Sequence, residues 1–106
     1  MTGFMLVLTT VPKAETGHAM GRTLVEEKLA ACVTVAAAGR SFYRWQGKVC
    51  AEREHILFIK TRASLFERLE ARIKTLHPYK VPEIIALTIE KGSKDYLSWL
   101  GEETKG

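Results

Sequence analysis

RSFYRWQGKVCAEREHILFIKT, residues 40–61, is two strand-like runs on either side of a Gln46-Gly47 pair. The first run carries the aromatics Phe42, Tyr43 and Trp45, and the pair between the runs is of the kind that closes a two-residue β-hairpin. The hairpin arm is longer than a small sheet requires. Its second run ends in HILFI, residues 55–59, apolar at every position after the histidine. A strand with apolar residues on both faces needs cover on both sides.

Working outward, FMLVLTT (Phe4 to Thr10) reads as a first strand halted by Pro12, and it too is apolar on both faces. Ala14, Gly17, Gly21, Leu24, Val25 and Leu29 recur at helical spacing between Lys13 and Ala30. Gly17 and Gly21 each cost a helix about 1 kcal/mol relative to alanine, which predicts that this helix packs closely on a sheet. ACVTVAA (Ala31 to Ala37) follows as a second strand, with Gly39 marking a bend or bulge before the hairpin. Ser64 and Glu67 have capping-box spacing at the head of a second helix with Leu65, Leu69, Ile73 and Leu76 on one face. Pro78 ends that helix near Leu76, and Pro82 hands the chain to a last strand, EIIALTIE. Ser93 caps a short final helix with Asp95 in its first turn.

The order is strand, helix, strand, strand, helix, strand, helix. One domain of 106 residues accommodates it as an α+β, ferredoxin-like βαββαβ sandwich: an antiparallel sheet with both main helices on one face and an extra C-terminal helix. In the last strand Ile85, Leu87 and Ile89 lie on one side, and Ile84 and Ala86 on the other. The helices cover only one face, so the sheet carries a surplus of apolar surface. Self-association into a closed homotrimer covers it most economically; the alternative is that the terminal helix folds back over it.

Composition narrows the function. No apolar run approaches the ~20 residues of a membrane span, and the N-terminal segment lacks the basic lead and cleavage pattern of a signal peptide, so a cytoplasmic protein with no membrane partner is expected. The net charge of +4 is spread along the chain rather than gathered into a block. An RNA-recognition module has the same element order, but VCAEREHILFIKT lacks the aromatic pattern such a module displays on its third strand, so no nucleic-acid partner is expected. No G-x-S-x-G, H-E-x-x-H or phosphate-gripping glycine loop is present, and the chain is read as no enzyme. Cys32 and Cys50 are not in a C-x-x-C pair and read as reduced thiols.

LVEEKLAACV, SFYRWQGKV, IKTR, LHPYKVPEIIAL and YLSWL, in this order and nearly end to end, resemble the CutA divalent-cation tolerance proteins. The resemblance implies a single domain over residues 1–106, a homotrimer similar in architecture to the PII signalling proteins, and an association with copper and other divalent metals. It implies further that some bacterial members hold copper through a first-strand cysteine and a His-His pair before Pro-Tyr. The matching positions here are Thr9, Leu76 and His77, so one ligand of three survives. Gln46, where the family often has an acid, and Lys80, where it often has Glu or Gln, are further departures, and Lys80 sets a positive charge near His77.

His77 is nonetheless the best ligand candidate, because imidazole suits copper, zinc and nickel; a capping role at the helix end is its structural alternative. Cys32 is a soft donor for the same ion. Tyr43, Trp45, Lys60, His77, Tyr79 and Glu83 come from segments the fold brings to a cleft between subunits, with aromatic walls and a few polar anchors for a divalent metal or a small ligand. Those aromatics also suit a subunit interface. The competing ligand is a small anion or nucleotide held by Lys60 and Lys80, as a PII-like sensor would hold it. Copper or another divalent cation is the expected cofactor, and none is required for folding.

Overall fold

The computed structural model describes residues 1–105. Five strands and three helices run β1 (Phe4–Val11), α1 (Ala14–Glu26), β2 (Cys32–Val35), β3 (Gly39–Trp45), β4 (Lys48–Arg62), α2 (Phe66–Leu76), β5 (Ile85–Thr88) and α3 (Lys94–Glu103). The sheet order is β2-β4-β1-β5, with β3 paired to β4 and every pairing antiparallel. Taking β2 and β3 as one interrupted strand gives the expected ferredoxin-like βαββαβ order.

The interruption is a bulge. Val35 pairs with Leu57 and Gly39 with Glu54, so the first arm takes four steps where β4 takes three. The His55 ring, in the middle of β4, meets it: Nδ1 lies 3.2 Å from the Ala36 carbonyl. Beyond the bulge the hairpin closes on Gln46 and Gly47, both with positive φ (50° and 80°), as a turn matched to the twist of its strands requires.

Val7, Val11, Leu57 and Ile59 point to the helix face and are sealed by Met20 and Leu24 of α1 and Leu69 and Ile73 of α2. The close approach foreseen at α1 is real. A Cβ on Gly17 would stand 3.1–3.2 Å from Val35, Leu57 and Val11, and one on Gly21 would stand 3.1 Å from Val33.

The second and last strands are shorter than expected, Cys32–Val35 and Ile85–Thr88, and two helix boundaries differ as well. The first helix ends at Glu26, and Lys28 adopts positive φ before the chain enters β2. Ser64 does not cap α2: residues 63–65 form a 3-10 turn, α2 starts at Phe66, and no side-chain cap is made. The turn is tied to β1 instead, with Ala63 N donating to the Gly3 carbonyl at 2.8 Å. At the other end His77 leaves the helix with extended angles (φ −84°, ψ 136°), as the following proline demands. Ser93 caps α3 as expected, accepting from Tyr96 N at 3.2 Å.

The second face of the sheet carries Phe4, Leu6 and Leu8, Ile56, Phe58, Lys60 and Arg62, and Ile85 and Leu87, as the registers place them. α3 covers one end of it. Arg62 donates to the Gly101 carbonyl (2.7 Å) and to Thr104 Oγ1 (3.1 Å), and Lys60 Nζ donates to Tyr96 Oη (3.2 Å). The other end stays open, with Ile56 38%, Ile85 50% and Leu87 50% exposed.

Candidate functional site

The turn after α2 is fixed by a buried histidine. A carbonyl can only accept, so His77 Nε2, 2.7 Å from the Thr10 oxygen, carries the hydrogen and donates it. Nδ1 therefore keeps its lone pair and accepts from Tyr79 N at 3.1 Å. The ring is 8% exposed and leans on the Tyr79 ring, centroids 4.8 Å apart. Thus His77 bolts the end of β1 to the turn and orients Tyr79.

Tyr79 in turn donates its hydroxyl to Glu54 Oε2 at 2.8 Å. Desolvation first, then the hydrogen bond to Glu54 and the charges around it, raises the Tyr79 pKa far above the ordinary tyrosine value. Glu54 lies where β4 leaves the central sheet for the hairpin, and at 8% exposure it is a buried carboxylate.

Between the hairpin and residues 78–83 runs an open groove of about 740 Å³, lined by Ser41, Phe42, Tyr43 and Trp45 of β3, Glu54 of β4, Thr10 of β1, and Pro78, Tyr79, Lys80, Val81 and Glu83. The hairpin register sorts charge across its two faces. Ser41, Tyr43 and Trp45 share a side with Glu52 and Glu54, while Arg40, Arg44 and Arg53 lie on the other. The Tyr43 hydroxyl is likewise held above its ordinary pKa, by desolvation first and then by Glu52, Cys50 and Glu54.

Of the residues singled out by sequence, Tyr43, Trp45, Tyr79 and Glu83 meet in the groove, and His77 stands behind it as its support. Lys60 does not join them. It lies six residues beyond Glu54 on β4, about 20 Å away by strand rise, bound to Tyr96 and paired across strands with Cys32. An anion site shared by Lys60 and Lys80 therefore does not form within one subunit. Nor are the two metal candidates together: Cys32 sits in that distant Lys60 region, and both ring nitrogens of His77 are engaged. Among the described residues no three His, Cys, Asp or Glu side chains cluster as a metal site. The donors of a single subunit do not fit a resident metal ion. Glu54 went unnoticed in the sequence, although Glu-Arg-Glu at residues 52–54 is the alternation that sends both acids to one side of a strand.

The profile of the CutA1 divalent ion tolerance protein family matches residues 5–103. The chain belongs to the CutA1 family. The divalent-cation tolerance protein CutA of Thermus thermophilus is 48% identical over 99 residues, 93% of this chain and 96% of that relative. The chloroplastic CutA of Arabidopsis thaliana is 46% identical over 101 residues, 95% of this chain but 56% of the longer plant protein. The crystal structure of CutA from Xylella fastidiosa superimposes with a TM-score of 0.95 at 39% identity, covering 97% of this chain and 99% of that one. The CutA1 assignment establishes a divalent-cation tolerance protein, and the hairpin, the His-Pro-Tyr turn and the groove between them are parts of a CutA1 fold.

Proposed function

We propose that this CutA1 protein works as a homotrimer that holds a divalent cation, copper foremost, weakly, or a small ligand, in clefts between subunits, as part of the response to metal ions. The observation that carries the reading is the uncovered half of the second sheet face, where β5 is an edge strand exposed along its whole length with Ile85 and Leu87 half exposed. An apolar sheet surface with a free edge is what a second copy covers. The groove opens beside the projecting hairpin, so a neighbouring subunit would bound it.

Weak binding follows from the donors. A cation reaching His77 must displace the Tyr79 amide from Nδ1 and complete its shell from another subunit or from water. The cation is then cargo, not a part of the fold. No catalytic role is proposed, because the polar groups of the groove hold one another or face solvent without a nucleophile beside a base. A cytoplasmic location belongs to the same proposal: the free thiols Cys32 and Cys50 suit a reducing compartment, and no helix among the described residues is long and apolar enough to cross a membrane.

Two measurements test this. Sedimentation velocity should give three times the chain mass. Calorimetric titration with Cu(II), Zn(II) and nucleotides, run on the protein and on His77→Ala, should show weak copper binding that the variant loses. A monomer in solution sinks the assembly; equal copper binding by both forms sinks the role of His77.

A further inference from the structure

One carboxylate of the groove is poorly satisfied. Glu54 is a buried carboxylate, and among the described residues no lysine, arginine or histidine forms an ion pair with it. Its one hydrogen bond among the described residues comes from the Tyr79 hydroxyl, whereas a carboxylate can accept about four. The arginines that could neutralise it, Arg40, Arg44 and Arg53, are all on the far side of the hairpin. Lys80 lines the groove too, but it is exposed and makes no ion pair among the described residues. A buried carboxylate with unused acceptor capacity gains most from a cation that brings its own N–H donors.

The walls specify what kind of cation. Tyr43 and Trp45 stand on the same hairpin face as Glu54, and both are substantially exposed, 41% and 53%. Exposed aromatic faces beside a carboxylate attract an ammonium or guanidinium and its apolar body, through the ring quadrupole and through area removed from water. They offer nothing to a hydrated metal ion, which would need several oxygen or nitrogen donors at once. The volume, about 740 Å³, is within the range of sites for small organic ligands.

We infer that the groove binds a small organic cation, a primary amine or guanidine with an apolar or aromatic body, its charged head on Glu54 and its body against Tyr43, with Trp45 further along the same wall. This deepens the small-ligand half of the function proposed above and rests on it. The Tyr43 hydroxyl, held above its ordinary pKa by desolvation first and then by Glu52, Cys50 and Glu54, is consistent with acids gathered on this wall, where the hairpin register places Glu52 and Glu54.

The test uses the intact, assembled protein and three probes of one shape: phenethylamine, 2-phenylethanol and phenylacetate. Binding is followed by calorimetry and by the side-chain N–H signal of Trp45 in NMR spectra. Phenethylamine should bind best, phenylacetate least, and Glu54→Gln should weaken the amine about tenfold while leaving the alcohol unchanged. Glutamine keeps the shape and an acceptor for Tyr79, and sedimentation of the variant checks that it assembles. Equal binding of amine and carboxylate, or an unchanged amine affinity in Glu54→Gln, overturns the inference. If no amine binds but Cu(II) or a nucleotide moves the Trp45 signal, the cation class is wrong and the groove remains a site. If no probe moves it, as when a neighbouring subunit's side chain already fills the groove, this inference and the small-ligand reading both fall.

Discussion

The Tyr79 hydroxyl donates to Glu54 Oε2 across 25 residues of sequence, and this 2.8 Å contact joins the turn after α2 to the root of the hairpin. Burial first, and then this bond, which exists only while the phenol keeps its proton, raise the Tyr79 pKa above the ordinary 10.0. For a group whose folded value is raised, the contribution is whole below the unfolded value and is lost as pH rises through the folded one. Stability should therefore decline in the alkaline range above about pH 10, beyond the ordinary tyrosine value. In Tyr79→Phe that part of the alkaline decline should vanish, with about 1–2 kcal/mol lost at neutral pH. Phenolate absorbance during an alkaline titration should show one tyrosine ionising later than the rest.

Arg72 of α2 grips Glu27, just past the end of α1, with two bonds: Nε to Oε1 at 2.9 Å and Nη2 to Oε2 at 2.8 Å. The hydrogen bond to Arg72 lowers the Glu27 pKa below its ordinary 4.5, partly opposed by desolvation. The sign is the reverse of the tyrosine case: the contribution is present above the unfolded value and disappears as pH falls through the folded one. Denaturation followed through the acid range should show Glu27→Gln with a shallower loss of stability below about pH 4.5 than the parent protein. The pair is largely solvated, so the difference should shrink in high salt.

Thr9 is fully buried on the helix face of β1, and its Oγ1 has no hydrogen-bond partner among the described residues. A hydroxyl sealed away from water without a partner costs about 1–3 kcal/mol. Thr9→Val should raise stability by about 1 kcal/mol, read from the midpoint of urea unfolding at an unchanged slope. A loss of stability would mean that the hydroxyl has a partner in solution, such as an enclosed water.

Leu87 on the edge strand is half exposed in the single chain. If identical copies cover that face, Leu87→Arg places a guanidinium in an apolar contact and should shift the sedimenting species toward single chains, with far-ultraviolet circular dichroism preserved. An unchanged assembly would place the interface elsewhere.

The sequence carried the architecture well because the fold is set by periodicity. Strand runs apolar on both sides, helical spacing in α1 and α2, and prolines at 78 and 82 each bias the backbone locally. The capping box at Ser64 shows the limit: the residue types were right, but the chain tightens into a 3-10 turn pinned to Gly3, a contact with a residue sixty positions away. The groove was legible for the same reason as the strands, since Tyr43, Trp45, Tyr79 and Glu83 mark the segments that flank it. Lys60 was misplaced because its distance from the groove depends on how many strand steps separate it from Glu54. The role of His77 was half legible. A histidine before proline reads as a helix end, but nothing local announces that its partner is the carbonyl of Thr10, 67 residues earlier.

The extra residue between Val35 and Gly39 leaves the cross-strand partners of the hairpin untouched, because those are dictated by the tight turn at its tip. It controls the bend and coil of the arm. Inserting or deleting one residue among Ala36–Ala38 would thus swing the arm toward a different target while its own ladder stayed whole. Reach toward a neighbour and internal cohesion are separately adjustable in this chain, and a lineage could retune how copies dock by changing chain length at one alanine.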